Sequence, residues 1–257
     1  MQRRSLEVLV DMRATTAMEK SQEAVDVLLV DLDDTLYREP KVAEHVRDYI
    51  GAYMERKLGI PARDMPGLRM QLYMKHGTTA AGLAAHGYDI DWDDWHHHVH
   101  GQLPYEKVIQ RDERLRAVLE SIPAKKYVFT NADRQHADIV LQQLGIDHCF
   151  QGIICFESIQ EHFKELLETS AMSAGMHEGV KVVCKPSKMA FELALKQAGN
   201  PDPQKCLFID DSPNNVEAAH RLGMKTCLVG RRSSDIPSLK IIDSVHEILD
   251  AFPSLRK

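Results

Sequence analysis

The chain has 257 residues, of which 44% are hydrophobic, so it can bury the core of one large domain or of two smaller ones. Its formal net charge of −6 gives no general basic field, which argues against nucleic acid or an anionic membrane as a partner. The five cysteines are odd in number and show no CxxC spacing, which favours reduced core residues in a cytoplasmic protein.

The N-terminal segment, residues 1–22, has neither the apolar core of a signal peptide nor the roughly 20 apolar residues of a membrane span. Its MQRR start is compatible with an organelle transit peptide, but the acidic residues that follow argue against one: Glu7, Asp11, Glu19 and Glu23. We therefore predict a disordered segment over 1–22 and a cytoplasmic location, with organelle targeting as the alternative.

Five short apolar runs, bounded by polar residues or glycine, predict buried strands. They are VDVLLVD (25–31), KYVFTNA (126–132), GIICF (152–156), KCLFID (205–210) and KTCLVG (225–230). Three amphipathic segments between them end at Gly145, Gly199 and Gly223, where glycine favours the left-handed backbone of a helix C-terminus. Repeated strand, helix, strand units predict an α/β fold with a doubly wound, Rossmann-like parallel sheet.

The interval 38–104 interrupts this alternation, because it has helical periodicity and no convincing buried strand. It follows the first strand at the edge where such sheets bind ligands, so we predict a helical cap at 38–104. The α/β core then comprises 23–37 and 105–257. Within the core, 160–180 is predicted to be a long, mobile surface connection.

The first strand ends in a cluster of carboxylates, Asp31, Asp33 and Asp34, within VLLVDLDDTLY. Three uncompensated acids at one strand end would repel one another, so a cation is expected there. Mg²⁺ suits this position because it prefers oxygen ligands and binds one or two carboxylates together with phosphate oxygens. An acidic turn that caps the next helix, or a solvated loop, remains the structural alternative.

Three further elements follow other predicted strands or precede a helix. Thr130 and Asn131 end the second strand, Lys185 precedes a helix that starts near Pro186, and Asp210 and Asp211 end the fourth strand. Each alone is compatible with an ordinary helix cap or a solvated side chain. Because the carboxyl ends of parallel strands share one edge of a sheet, we expect all of them to line a single pocket. A carboxylate nucleophile, a metal, phosphoryl-oxygen donors and a second acid together favour phosphoryl transfer.

These motifs, DLDDT, the strand-end Thr130, Lys185 and IDDS, resemble the four motifs of haloacid dehalogenase (HAD) superfamily phosphatases over residues 25–230. Further segments resemble the pyrimidine 5′-nucleotidase subgroup of yeasts and plants: YMKHGTTAAGL (73–83), HGQLPYE (100–106) and CKPS around Lys185. The resemblance implies a Mg²⁺-dependent phosphoric monoester hydrolase that acts on a small nucleoside 5′-monophosphate, UMP or CMP. The alternatives are FMN, a phosphosugar or lysophosphatidate as substrate, or a non-catalytic phosphate-binding or receiver-type module.

The resemblance also implies a role for each motif residue. Asp31 would attack phosphorus and form an aspartyl-phosphate, and Asp33 would protonate the leaving oxygen and then activate water. Thr130 and the backbone amide of Asn131 would hold the phosphoryl oxygens, while Lys185 would neutralise charge between nucleophile and phosphate. Because Asp33 must start protonated and end as a base, we expect its pKa to lie nearer neutrality than that of a free aspartate.

The metal ligands implied by the resemblance are Asp31, the Asp33 carbonyl and Asp211, with Asp210 as a supporting or alternative ligand. The chain departs from many relatives at Asn215, where they carry a further acid four residues after the first. This leaves less negative charge around the metal.

The cap segment that contains His76, Gly77, Thr78 and Thr79 is predicted to contact the base or ribose of the substrate. A turn between two cap helices is the structural alternative. In WHHHVHG (95–101), His96 and His100 have the i, i+4 spacing of metal-binding pairs on a helix. The sequence shows no cysteine or other third ligand nearby, so a zinc site is not predicted.

Overall fold

The computed structural model describes residues 24–169, 181–230, 236 and 239–256. The described strands are β1 (Val27–Val30), β2 (Lys125–Phe129), β3 (Gly152–Ile154), β4 (Cys206–Asp210), β5 (Lys225–Val229) and β6 (Lys240–Ile242). The predicted disordered segment over 1–22 lies outside the described residues.

The described α-helices fall into a group before β2 and a group that alternates with the later strands. The first group is α1 (Pro40–Arg56), α2 (Met65–His76), α3 (Thr79–Ala85), α4 (Trp92–Val99), α5 (Tyr105–Val108) and α6 (Glu113–Ser121). The second is α7 (Arg134–Leu144), α8 (Phe156–Thr169), α9 (Lys188–Gln197), α10 (Pro213–Arg221) and α11 (Ile248–Ala251). None of these helices is long and apolar enough to cross a membrane.

The strands form one parallel sheet in the order β3-β2-β1-β4-β5-β6. The chain moves outward from β1 to β3 and then returns to the other side of β1 with β4, so the order reverses between β1 and β4. Ligands bind in such sheets at the carboxyl ends of the strands that flank this reversal. The α/β, Rossmann-like prediction is confirmed, and all five predicted strands are present.

Strand β1 is buried along its whole length because both faces of the sheet are covered. Leu28 and Val30 pack into the core on one face, and Val27 and Leu29 pack into the core on the other. The sixth strand, β6, was not predicted, because it has three residues, begins with the exposed Lys240 and lies at the edge of the sheet.

The predicted mobile connection over 160–180 is wrong for its first half. Helix α8 extends to Thr169 and buries Phe156, Ile159 and Phe163 on one face. Its other positions are mostly charged or polar, and this composition led to the incorrect prediction. Residues 170–180 lie outside the described part of the chain.

The predicted helical insertion is confirmed between β1 and β2, where α1 to α4 precede the core helices. These helices have a hydrophobic cluster of their own, which includes Tyr53, Met54, Leu72, Leu83 and Trp95. The rings of Tyr53 and Trp95 pack edge to face with centroids 4.9 Å apart. A separate core supports the predicted division into a cap and a core domain, which stays a prediction.

Candidate active site

The centre of the candidate site is a buried ammonium group between two strand ends. Asp31 directly follows β1, and Asp210 is the last residue of the neighbouring β4. Lys185 comes from the loop before α9, and its Nζ donates to Asp31 Oδ1 at 2.6 Å and to Asp210 Oδ2 at 2.8 Å. A third bond, to the Phe129 carbonyl oxygen at 2.7 Å, uses the remaining proton of the ammonium. Lys185 is only 1% exposed, so these contacts are fully desolvated.

This centre holds more negative than positive charge, because Asp211 adjoins the two carboxylates that Lys185 bridges. Burial raises the pKa of Asp31 well above its usual range, Lys185 offsets part of that rise, and Asp210 and Asp211 add to it. Burial alone would lower the pKa of Lys185, but Asp210 and Asp31 together raise it, so the amine stays protonated. The excess of carboxylates indicates that a further cation belongs here.

The donor set fits a magnesium ion. Oxygen atoms of Asp31, Asp210 and Asp211 lie within 4.8 Å of one another, and carboxylate oxygens are the ligands that Mg²⁺ prefers. The Asp210 carboxylate, however, already accepts from Lys185, from the Ser212 backbone N–H at 2.8 Å and from Asn215 Nδ2 at 3.0 Å. Asp210, which accepts from these three donors, is therefore better placed to hold Lys185 than to bind a metal.

Asp33 lies beside this centre and accepts two hydrogen bonds on one oxygen. Tyr37 Oη donates to Asp33 Oδ1 at 2.6 Å, and His136 Nε2 lies 2.8 Å from the same atom. Burial would raise the pKa of Asp33, but the charge and hydrogen bond of His136, with the bond from Tyr37, lower it to about 2. The sequence-based expectation of a pKa nearer neutrality is therefore wrong for this arrangement.

His136 was not identified from the sequence, because a histidine on the apolar face of a helix is usually a core residue. It lies in the first turn of α7, is 1% exposed, and its Nδ1 is 2.8 Å from Tyr105 Oη. Burial alone would lower the pKa of His136, but the charges of Asp33 and Asp133 and the Asp33 hydrogen bond raise it. The raised pKa of His136 and the lowered pKa of Asp33 have the same cause, an ion pair between them.

The predicted phosphoryl-binding residues Thr130 and Asn131 lie at the carboxyl end of β2 and line the same cavity. Thr130 is 2% exposed, and its Oγ1 accepts from the Ala132 backbone N–H at 3.0 Å. The Asn131 side chain donates to the Lys185 carbonyl at 3.0 Å and accepts from the Lys185 N–H at 2.9 Å. This side chain thus fixes the backbone of the lysine loop, which the sequence did not indicate.

A cavity of about 420 Å³ lies between the cap and the strand ends, within the size range of small-molecule sites. Gly77, Thr78 and Thr79 line it where α2 ends and α3 begins, and their predicted contact with the substrate stays a prediction. Thr78 also caps α3, since its Oγ1 accepts from the Ala81 N–H at 3.0 Å. His76 is not among the lining residues; its ring packs edge-on against His86 with centroids 5.6 Å apart.

Gly77 has a structural reason to be glycine. Its φ is +83°, and a Cβ on it would overlap the Lys185 carbonyl oxygen. The cap turn therefore touches the loop that carries the buried lysine.

Other lining residues had no recognisable spacing in the sequence. Arg47 and Arg69 come from α1 and α2, and the rings of Trp92 and Phe156 pack with centroids 4.6 Å apart. Tyr73, which is 45% exposed, completes this partly aromatic wall.

Comparison with known proteins identifies the family. A family model described as haloacid dehalogenase-like hydrolase matches residues 25–223. Phosphate metabolism protein 8 of Saccharomyces cerevisiae is 27% identical over 206 residues, which cover 77% of this chain and 59% of the relative. The chain thus spans about three fifths of the length of this curated relative.

Solved structures share the fold at low identity. A HAD phosphatase from Thermococcus onnurineus is 15% identical with a TM-score of 0.56, covering 91% of this chain and 100% of that one. The putative hydrolase YfnB from Bacillus subtilis, bound to magnesium, is 15% identical with a TM-score of 0.54, covering 89% of this chain and 99% of that one. L-2-haloacid dehalogenase from Xanthobacter autotrophicus is 13% identical with a TM-score of 0.51, covering 87% and 96%. The chain belongs to the haloacid dehalogenase-like hydrolase family.

Proposed function

We propose that this hydrolase is a Mg²⁺-dependent phosphatase that acts on a pyrimidine nucleoside 5′-monophosphate, UMP or CMP, through a phosphorylated Asp31. The observation that carries the proposal is the buried Lys185, which bridges Asp31 and Asp210 beside a third carboxylate, that of Asp33. This arrangement provides a nucleophile, a fixed positive charge and an acid within one small cavity.

In the first step a carboxylate oxygen of Asp31 attacks phosphorus, and the bond from phosphorus to the nucleoside oxygen breaks. The nucleophile is held on both sides, because Lys185 donates to Oδ1 and Thr35 Oγ1 donates to Oδ2 at 3.1 Å. Holding the carboxylate in a fixed orientation lowers the entropic cost of its attack on phosphorus. The leaving oxygen takes a proton from Asp33.

The proton for that transfer comes from the pair of Asp33 and His136. In the resting site the lowered pKa of Asp33 favours its ionised form, and the raised pKa of His136, whose Nε2 is 2.8 Å away, favours the imidazolium. When the leaving oxygen gains negative charge, a proton that moves from His136 Nε2 to Asp33 supplies the acid. This relay accounts for an acid whose resting pKa is low.

In the second step Asp33 removes a proton from water, and the water oxygen attacks phosphorus. The bond between phosphorus and Asp31 breaks, which releases inorganic phosphate and restores the Asp31 carboxylate. Thr130 and the backbone N–H of Asn131 would hold the phosphoryl oxygens in this cavity during both steps, and Lys185, bonded to Asp31, supplies positive charge beside them. A bound Mg²⁺, held by Asp31, Asp211 and the Asp33 carbonyl, would supply further positive charge to those oxygens.

The nucleotide part of the proposal is supported by the way three distant segments meet at one cavity. The cap contributes Tyr73 and Gly77 to Thr79 to its lining, the segment HGQLPYE contributes His100, and CKPS contributes Lys185. The ring pair of Trp92 and Phe156 gives an aromatic surface on which a base can stack. The preference for pyrimidine bases follows from the sequence resemblance of the same three segments.

Dehalogenases share the fold, but the chemistry of this site differs from what dehalogenation requires. A halide leaves without a proton, so an acid hydrogen-bonded to a buried histidine has no task there. A leaving alkoxide needs that proton. The hydrogen bond between Asp33 and His136 therefore favours an oxygen leaving group.

The test is phosphate release with and without Mg²⁺ from UMP, CMP, FMN, a phosphosugar and lysophosphatidate, with the folded Asp31→Asn variant as control. We expect the highest kcat/KM for UMP and CMP, and no turnover above background in the variant. Release from another phosphate alone would retain the chemistry and reject the nucleotide assignment. Turnover at the wild-type rate by pure Asp31→Asn protein would reject Asp31 as the nucleophile.

A further inference from the structure

We propose that His96, His100 and Asp133 form a transition-metal site of the zinc type, separate from the carboxylate centre around Asp31. The site joins the cap to the core. His96 and His100 come from α4 and its C-terminal cap, whereas Asp133 is the N-cap residue of α7. The proposal concerns metal binding and does not depend on which substrate the enzyme hydrolyses.

The three side chains converge on one point. Spacing of one helical turn places the two imidazoles on the same face of α4, with ring planes 19° apart and centroids separated by 6.2 Å. Both Nδ1 atoms face Asp133 Oδ2, at 3.4 Å for His96 and within hydrogen-bonding contact for His100. Donor atoms of all three residues lie within 4.8 Å of one another. The third ligand, which the sequence did not reveal, is thus supplied by a residue 33 positions after His100.

His96 lacks the hydrogen bonds that a buried imidazole requires. Neither ring nitrogen is accessible to water, and neither has a hydrogen-bond partner in the part of the chain that the structure describes. Its side chain is 13% exposed and packs against the rings of Trp92 and Phe156. Leaving a buried polar atom unpaired costs about 1–3 kcal/mol, and a metal bound to Nδ1 removes that cost for this one of the two nitrogens.

The donor chemistry selects the type of ion. Two imidazole nitrogens and one carboxylate oxygen match zinc sites that keep a fourth position open, whereas Mg²⁺ prefers oxygen ligands. Ligand atoms about 2.0 Å from a tetrahedral ion are about 3.3 Å apart. The 3.4 Å between His96 Nδ1 and Asp133 Oδ2 is close to this separation. The His100 ring lies closer to Asp133 and would move outward to bind the same ion.

The surroundings hold the ligands in place. Asp133 Oδ1 accepts from the backbone N–H of His136 at 2.9 Å, so its other oxygen is left to face the histidines. Both histidines line the main cavity, which gives the fourth position access to solvent or ligand. A second cluster, Glu120, His148 and Cys149, also has close donor atoms, but Glu120 and His148 are about half exposed. It therefore lacks the enclosure found around His96.

The test uses full-length protein in excess Mg²⁺, which occupies the carboxylate centre, and titrates Co²⁺ and Zn²⁺. We expect one equivalent of Co²⁺ with the visible absorption of a tetrahedral nitrogen-containing site, displaced by Zn²⁺. His96→Ala and His100→Ala should weaken Zn²⁺ binding at least tenfold by calorimetry. His97→Ala, at an exposed position of the same helix, should bind like the wild type.

Several outcomes would overturn the proposal. One is the absence of Mg²⁺-resistant binding by the wild type, which would leave only hydrogen bonds between cap and core. Another is Zn²⁺ binding that survives His96→Ala but is lost in Asp31→Asn, which would assign the ion to the carboxylate centre. Because His96 makes no hydrogen bond, its variant should fold, and circular dichroism verifies this.

Discussion

Removal of the Lys185 charge tests the electrostatic description of the site. Lys185→Met keeps a long unbranched side chain and leaves the carboxylates of Asp31 and Asp210, which are 10% and 0% exposed, without their counter-charge. Breaking a buried ion pair by removing one partner typically costs about 3–5 kcal/mol. Since solvent does not screen these pairs, we expect a loss in that range for the free energy of unfolding.

The loss should also depend on pH. The pKa of Asp31 is already raised in the folded protein, and without Lys185 it rises further. A folded-state pKa above the unfolded value means that the folded state binds more protons, so stability falls as pH rises above about 4. Lys185→Met should therefore be less stable at pH 8 than at pH 5.

Urea denaturation without Mg²⁺, followed by circular dichroism, measures these differences. The double variant Lys185→Met with Asp210→Asn removes one of the two carboxylate charges that are left without a counter-charge. It should recover at least about 1 kcal/mol of the lost unfolding free energy. Lys188→Met is the matched control, since that side chain is 73% exposed and should change stability by less than about 0.5 kcal/mol. A cost below about 1 kcal/mol for Lys185→Met, or one equal to the control, would refute the reasoning.

Further predictions concern Asp33, His136 and Gly77. Asp33→Asn should lower steady-state kcat at least about 100-fold while substrate binding by calorimetry persists; normal turnover would contradict its acid–base role. In the wild type, lowering the pKa of Asp33 from 3.8 to about 2 corresponds to about 2 kcal/mol of folding stability. Because the side chain is 40% exposed, solvent screening reduces this contribution to about 1 kcal/mol. That stability is present above pH 4 and is lost as pH falls towards 2, so urea denaturation of wild type and variant should converge there. His136→Ala should slow hydrolysis of an alkyl phosphate about tenfold or more, but hydrolysis of p-nitrophenyl phosphate much less. His136→Gln retains a hydrogen-bond donor and should recover part of the lost rate. Equal effects of His136→Ala on both esters would indicate a merely structural role. Gly77→Ala should lower the free energy of unfolding by about 1–3 kcal/mol, because Gly77 has a positive φ and a Cβ there would overlap the lysine loop. Gly67→Ala, in open space on α2, should be neutral or stabilising. A larger loss for Gly67→Ala than for Gly77→Ala would reject the close packing at Gly77.

The sequence predicted the sheet and the convergence of its polar strand ends well, for physical reasons. A run such as Val27 to Val30, buried on both faces, has few alternatives to a central parallel strand, and parallel strands bring their carboxyl ends together. Asp31 and Asp210 could be placed side by side on this argument, and the structure places them there.

The predictions that failed depend on contacts between distant residues. The low pKa of Asp33 arises from His136, which is 103 positions away in sequence, and nothing around Asp33 indicates it. His76 adjoins three cavity-lining residues but turns away at the end of α2. Asp133 could be read as a helix cap, which it is, but its contact with His96 required the relative position of cap and core.

The central claim is that phosphorus is transferred to Asp31, and the most direct measurement is mass spectrometry of the acid-quenched Asp33→Asn variant after mixing with Mg²⁺ and p-nitrophenyl phosphate. The leaving group of this ester needs no proton, so the variant can form the acyl phosphate but lacks the base that activates water. We predict that the peptide containing Asp31 gains the mass of one phosphoryl group. The gain should be absent in the Asp31→Asn variant. Wild-type turnover with no phosphorylated peptide in the Asp33→Asn variant, or a single turnover in ¹⁸O-labelled water that places the label in the Asp31 carboxylate, would contradict the account.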